Sequence, residues 1–277
     1  MNIKEFFLTT SFGKLFIKQW KPANSQAKAP VILMHDSLGS VDLWRSFPEQ
    51  LAIELARPVI AYDRLGFGKS EARTTLPAFN FIEQEAEQYF PQLKSALKLN
   101  HYTLLGHSVG GAMALNIAAT DKSCQAVITM AAQAYVEQLT IQGIEEAKSI
   151  FHKQEQLNQL IKWHGNKAQW VLTAWTDIWL AAEFRQWRLT RLPDVHCPVL
   201  AIHGENDEYG SIAFPKFIVN NTGAAASMVL LKSCGHMPHK THTEHVLKAI
   251  SHFIKQNSFH NINEASTITQ PITALTQ

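Results

Sequence analysis

The sequence predicts an α/β protein with a mostly parallel central sheet, helices on both faces of that sheet, and a helical lid insertion. Short apolar runs of strand length alternate with longer segments whose apolar residues recur at helical spacing. This alternation stops at residue 135 and resumes after residue 192. We therefore predict a core at 1–134 and 193–255, a lid at 135–192 and a flexible tail at 256–277.

The chain is expected to open with an antiparallel hairpin, because Phe6–Thr9 and Lys14–Trp20 flank Ser11-Phe12-Gly13. Buried strands are predicted at Pro30–Met34, Pro58–Tyr62, Tyr102–Leu105, Ala126–Met130, Val199–His203 and Ser227–Leu231. Helices are predicted at Asp42–Ala56, Phe79–Leu99, Val109–Ala119 and Val246–Ile254.

The predicted lid is unusually rich in tryptophan. It contains no convincing strand, and it holds five of the seven tryptophans, namely Trp163, Trp170, Trp175, Trp179 and Trp187. Aromatic residues at helical spacing usually pack within their own helices. Some must also face the site beneath if the lid selects the substrate, and we assign Trp175 and Trp179 to substrate binding.

Composition limits the classes of partner and the compartment. The net charge is +2 over 277 residues and no long Lys/Arg run concentrates it, which argues against a nucleic-acid partner. The three cysteines, Cys124, Cys197 and Cys234, match no disulfide framework or zinc pattern. No apolar run has the length of a signal peptide or of a membrane-spanning helix. We expect a cytoplasmic protein, and nothing in the sequence fixes its oligomeric state.

A candidate nucleophile lies in Gly106-His107-Ser108-Val109-Gly110-Gly111. This Gly-x-Ser-x-Gly pattern follows one predicted strand directly and opens a predicted helix, which is the context it requires. The tight turn leaves no room for bulk two residues before or after Ser108, and the following helix directs free N–H groups at the same point. The alternative is an ordinary glycine-rich turn between a strand and a helix.

A serine hydroxyl needs a base to take its proton and an acid to orient that base. Asp207 follows a predicted strand in Gly204-Glu205-Asn206-Asp207, and His236 follows the next one in Ser233-Cys234-Gly235-His236. Both lie where side chains meet at the carboxyl edge of a parallel sheet. Glu205 and Glu208 remain alternatives for the acid.

Together these motifs resemble the α/β-hydrolase superfamily, and the serine carboxylesterases within it. The resemblance rests on Gly-His-Ser-x-Gly-Gly, Gly-x-x-Asp and Gly-His, in that order, and on the turn Asp63-Arg64-Leu65-Gly66-Phe67-Gly68-Lys69-Ser70. It extends from about Phe6 to Ile254 without most of the predicted lid. The resemblance implies that Ser108, Asp207 and His236 form a catalytic triad.

The resemblance also implies an oxyanion hole formed by two backbone N–H groups. One belongs to Val109, and the other lies in the loop after the strand Pro30–Met34. The family usually has His-Gly-x in that loop, whereas this chain has His35-Asp36-Ser37. Matching positions makes Ser37 the second donor. Because a carboxylate facing the hole would repel an oxyanion, we expect Asp36 to point away.

Two other signals are set aside. Gly66–Ser70 ends in Gly-Lys-Ser, but a Walker loop needs glycine where Asp63 stands, so nucleotide binding is rejected. Histidines recur every three residues at His236, His239, His242 and His245, yet Pro238 interrupts the run, and we predict no metal site. His239 is assigned to the pocket entrance.

The sequence favours hydrolysis of a small-molecule carboxylic ester through an acyl-enzyme, with no cofactor. The alternatives on the same residues are a C–C bond hydrolase, a thioesterase, a cofactor-free haloperoxidase and a non-catalytic ligand receptor. Related families with an aspartate nucleophile are disfavoured by Ser108.

Overall fold

The computed structural model describes residues 1–23, 25 and 28–257, and its centre is an eight-stranded sheet. The strands are β1 (Asn2–Thr10), β2 (Gly13–Lys21), β3 (Val31–Met34), β4 (Val59–Tyr62), β5 (Tyr102–His107), β6 (Cys124–Met130), β7 (Val199–Gly204) and β8 (Ala226–Leu231). Their spatial order is β1-β2-β4-β3-β5-β6-β7-β8. β1 and β2 form the predicted antiparallel hairpin, and β3 to β8 are parallel. The predicted fold class is confirmed.

Helices cover both faces of this sheet. They are α1 (Phe47–Leu55), α2 (Phe81–Gln84), α3 (Phe90–Ala96), α4 (Val109–Thr120), α5 (Gln138–Phe151), α6 (Gln154–His164), α7 (Ala168–Leu180), α8 (Ala213–Asn221), α9 (Pro238–Thr241) and α10 (Thr243–Gln256). One apolar cluster joins α1 and α10 to one face, and a second joins α2, α3 and α4 to the other. Every residue of β3, β4, β5 and β7 is buried, as expected of strands covered on both sides.

Two predicted helices are interrupted, each beside a proline. The helix predicted at Asp42–Ala56 is instead a 3-10 turn at Val41–Trp44 followed by α1. Pro48 has no N–H for a helical bond to Trp44, so α1 starts afresh with proline in its first turn. In the helix predicted at Phe79–Leu99, a π-helical turn at Glu85–Tyr89 precedes Pro91.

The chain between β6 and β7 contains α5, α6 and α7. Among its described residues, β-pairing is limited to one isolated bridge between Tyr135 and Arg188. The tail predicted at 256–277 falls outside the described residues except for the end of α10 and Asn257. Within the described ranges, no helix combines the length and the apolar character needed to cross a bilayer.

Candidate active site

Ser108 lies at the sharp turn between β5 and α4. Its backbone dihedrals are φ 55° and ψ −124°, a conformation that residues other than glycine rarely adopt. A β-carbon at Gly110 would lie 2.2 Å from the Met34 carbonyl oxygen, and one at Gly106 would lie 2.2 Å from the Gly110 carbonyl oxygen. The two glycines therefore let the turn pack against β3. Within this turn, Ser108 is the residue with positive φ, and it is also the residue whose hydroxyl the turn presents.

Asp207 and His236 form a buried pair beyond the ends of β7 and β8. Both carboxylate oxygens of Asp207 lie 2.9 Å from His236 Nδ1. Asp207 also accepts the Tyr209 N–H at 2.8 Å. Of the alternative acids, Glu205 is exposed, and Glu208 accepts the backbone N–H of His236 at 3.1 Å. The structure thus pairs the histidine ring with Asp207.

The electrostatics of this pair favour an ionised aspartate beside a histidine that can take up a proton. Burial alone would raise the pKa of Asp207, but the neighbouring His236 outweighs burial and lowers that pKa. Burial opposes charge on His236 as well, yet the Asp207 carboxylate, with Asp36 and Glu208, raises its pKa above the ordinary value of 6.5. The pair therefore stabilises the imidazolium that forms when a histidine accepts a proton.

Ser108 and His236 open into the same pocket, whose volume is about 80 Å³. Its wall is mostly apolar and includes Trp175 and Trp179, the two tryptophans assigned to the substrate. The remaining lining residues are Asp36, Ser37, Leu38, Gln133, Thr140, Ile144, Tyr209 and Met237. The pocket lies at the carboxyl edge of the sheet, between the ends of the strands and the helices α5 and α7.

The other three tryptophans between β6 and β7 lie away from this pocket wall. Trp163 stacks under the Arg45 guanidinium, 4.2 Å from the ring centre. Trp170 packs edge-on against Phe67. Trp187 stacks on Phe184 at 5.5 Å, and the pocket-lining Trp179 contacts both of these rings from the side.

The loop after β3 brings Ser37 beside Ser108 at the pocket wall. The two N–H groups after that of Ser37 are engaged, because Leu38 donates to the Asp36 carboxylate at 2.9 Å and Gly39 donates to the Asp36 carbonyl at 3.2 Å. Val109 is the first residue of α4, so no carbonyl of that helix accepts its N–H. These positions suit Ser37 and Val109 as the two donors expected from the resemblance.

From the sequence we expected Asp36 to point away from the oxyanion hole, but the partners of its carboxylate could not be predicted. Its carboxylate is turned to His107 and to the Leu38 N–H, although the residue still forms part of the pocket wall. It is absent from the described non-glycine residues with positive φ. The conformational freedom of glycine is therefore not required here, which explains how this chain accommodates an aspartate.

His239 does not line the catalytic pocket, contrary to the position assigned to it from the sequence. It lies in the short helix α9 and is 4% exposed, packed among the rings of Trp44, Phe47 and His107. Pro238 starts α9 immediately after Met237, and this turn carries His239 behind the wall. Met237 lines the pocket in its place.

Several lining residues were not identified from the sequence. Gln133 follows the end of β6, and Tyr209 is two residues after Asp207. Because parallel strands end at the same edge of the sheet, the end of β6 was a signal that could have found Gln133. Thr140 and Ile144 reach the pocket through the packing of α5, for which the sequence carries no comparable signal.

The cysteines and the remaining histidines form no metal centre in the described part of the chain, where no group of three or more His, Cys, Asp or Glu side chains could hold an ion. Cys124 and Cys197, distant in sequence, meet with their sulfurs 3.9 Å apart, and all three thiols are free.

A family model described as the alpha/beta hydrolase fold matches residues 29–167, and this chain belongs to that family. Family membership supports hydrolase chemistry at the site. Among solved structures, carboxylesterase CesB from Bacillus subtilis has a TM-score of 0.67 at 19% identity, covering 92% of each chain. That likeness shows the fold.

Two curated relatives match part of the sequence. A 1-acylglycerol-3-phosphate O-acyltransferase, ABHD5, of Rattus norvegicus is 37% identical over 95 residues, 33% of this chain and 25% of that protein. A proline iminopeptidase of Levilactobacillus brevis is 36% identical over 86 residues, 31% of this chain and 28% of that protein. The matches thus span about a quarter of the length of these relatives.

Proposed function

We propose that this protein is a serine hydrolase that cleaves small-molecule carboxylic esters through an acyl-enzyme intermediate. The observation that carries the proposal is the buried Asp207–His236 pair, which opens into one pocket with the strained Ser108. A nucleophile, a base and an orienting acid in this arrangement are the equipment of acyl transfer.

In the proposed mechanism, the Nδ1–H of His236 is bonded to Asp207, which leaves Nε2 free to accept the Ser108 proton. The serine oxygen attacks the ester carbonyl, and the oxyanion accepts hydrogen bonds from the Val109 and Ser37 N–H groups. His236 then protonates the leaving alcohol. A water molecule, deprotonated by the same ring, releases the acid and restores Ser108. The proposed reaction needs no cofactor.

The size and character of the pocket support a small to medium, moderately apolar substrate. A space of about 80 Å³ walled by Trp175, Trp179, Ile144 and Met237 suits a short acyl chain better than a charged group. We further propose that residues 135–192 act as a lid, since their helices supply this apolar roof. Three free thiols support a reducing, cytoplasmic location.

Amide hydrolysis is the second candidate, favoured by the local similarity to proline iminopeptidases. The same nucleophile and base serve both bonds, but an amine is a poorer leaving group than an alcohol. Matched ester and amide substrates with one acyl group separate the two activities.

The experiment that tests the proposal compares wild type with Ser108→Ala on acetate, butyrate and octanoate nitrophenyl esters. Wild type should turn over the shorter esters, and the variant should lose several orders of magnitude in kcat, as nucleophile knockouts do. If Ser108→Ala retained the turnover of wild type, with its fold confirmed by circular dichroism, the proposal would be contradicted.

A further inference from the structure

The residue before the nucleophile, His107, connects two loops of the candidate site. Its Nδ1 lies 3.0 Å from Asp36 Oδ2, and its Nε2 lies 2.7 Å from the carbonyl oxygen of His236. The first contact reaches the loop that carries Ser37. The second reaches the backbone of the catalytic base.

The second carboxylate oxygen of Asp36 acts within its own loop. Oδ1 accepts the Leu38 N–H at 2.9 Å and so holds the residue that follows Ser37, the proposed oxyanion donor. The Asp36 carbonyl is also held, by Nη2 of the buried Arg64 at 2.8 Å and by His35 Nδ1 at 2.8 Å. The loop is therefore fixed through both the main chain and the side chain of Asp36.

Both ring nitrogens of His107 face acceptors. A neutral imidazole has one N–H, so the ring satisfies the carboxylate and the carbonyl together only in its charged form. The other titratable groups near it are His236 and His239, whose ring centres lie 5.0 Å and 4.8 Å away, and His35 and Lys240, which line a small cavity together with Asp36 and His107. Burial holds the pKa of His239 well below its usual value, which keeps that ring neutral. Burial alone would raise the pKa of Asp36, but the contact with His107 outweighs burial and lowers that pKa, so Asp36 is the anion of the group.

We propose that Asp36 is a positioning residue, which through His107 holds the oxyanion donor Ser37 and the base His236 in register with Ser108. We call this chain of contacts the Asp36–His107–His236 tie. The proposal rests on the proposed function, in which Ser37, His236 and Ser108 take part. It also gives a reason for an aspartate where the resemblance leads one to expect glycine. The Asp36 side chain bonds to Leu38 and His107, and it acts on Ser108 and His236 through them.

Kinetics of three variants test the tie. In Asp36→Ala the loop loses both side-chain bonds, and kcat should fall on the order of 10²-fold, the scale of a lost oxyanion donor, while KM changes little. In Asp36→Asn the amide oxygen still accepts from Leu38, and its N–H donates to Nδ1 of a neutral His107 ring. Most of kcat should return.

Asp121→Asn is the matched control. Asp121 is also a paired carboxylate, bonded to Lys94 and Tyr102, and its side chain is 21% exposed against 18% for Asp36. It lies at the far end of α4, away from the pocket, so its replacement should affect stability and not kcat. An Asp36→Ala enzyme as active as this control would overturn the proposal.

Nitrogen-15 NMR of the histidine rings decides the tie without turnover. Because both ring nitrogens face acceptors, His107 should carry protons on both nitrogens in wild type and on Nε2 alone in Asp36→Asn. A neutral His107 ring in both proteins would overturn the proposal. Wild type without ester turnover, but with this pair of spectra, would refute the proposed function and support the tie.

Discussion

At the scale of single residues, the candidate site separates three roles by environment. Ser108 carries the backbone strain, Asp207 stays ionised because His236 offsets its burial, and His236 gains basicity from the surrounding carboxylates. Glu205 and Glu208 lie within one residue or two of Asp207, yet neither contacts the ring of His236. Proximity in sequence therefore does not decide which carboxylate orients the base.

Replacement of each carboxylate tests this separation. Asp207→Asn should lower kcat by about 10³- to 10⁴-fold, because the amide favours the wrong tautomer of His236. Glu205→Gln should leave kcat within about twofold, since that side chain is exposed. Steady-state kinetics on one ester measure all three variants, with Glu208→Gln between them. If Glu205→Gln were the most damaging, the acid would be wrongly assigned.

The pH dependence of kcat/KM follows from the raised pKa of His236. The ring is a base only when neutral, and the Asp207 carboxylate raises its pKa above 6.5 against the effect of burial. Activity should therefore rise with pH and reach half its maximum above pH 6.5, because kcat/KM reports the free enzyme. A half-maximum below 6.5 would mean that burial, not Asp207, dominates.

At the scale of elements, the helices between β6 and β7 divide their tryptophans between two tasks. Trp175 lies at the pocket and contacts Tyr209, which in turn contacts the ring of His236. Trp170 packs on Phe67, and its indole N–H donates to the Thr75 carbonyl at 3.3 Å. Trp179 does both: it lines the pocket and also packs against the rings of Phe184 and Trp187.

These positions predict different kinetics for two tryptophan variants. Trp175→Ala should shift kcat/KM towards longer acyl chains, because each methylene in an apolar pocket is worth roughly 1–3 kcal/mol. Trp170→Ala should lower the melting temperature and change all chain lengths alike. The measurement is kcat/KM on acetate, butyrate and octanoate esters. Equal profiles in the two variants would mean that the helices α5–α7 do not select the substrate.

At the scale of the whole molecule, the parallel sheet assembles the site from distant parts of the chain. Ser108 follows β5, Asp207 follows β7 and His236 follows β8, and all three strands end at one edge. The helices between β6 and β7 complete the pocket over that edge. The hairpin of β1 and β2 extends the sheet on the other side, away from the nucleophile.

The sequence was sufficient for those parts in which chemistry restricts the residue type. A strained serine flanked by glycines, and an acid and a histidine after strands, are recognisable without a structure. Gln133, Thr140 and Tyr209 were not, because neutral polar residues occur in many loops and their place depends on packing. His239 was misplaced because α9 begins at Pro238, and its first turn carries the His239 side chain away from the pocket into the core. The break before α1 was missed because apolar spacing continues across Pro48.

In the proposed mechanism Ser108 becomes acylated during turnover. To detect this, wild type is mixed with excess nitrophenyl acetate, the reaction is quenched in acid, and any acetyl group is located by intact-mass and peptide mass spectrometry. We expect one acetyl group on the peptide that contains Ser108, and none on that peptide in Ser108→Ala. Ester turnover with the acetyl group on another residue, or with no acylated enzyme at any quench time, would contradict it.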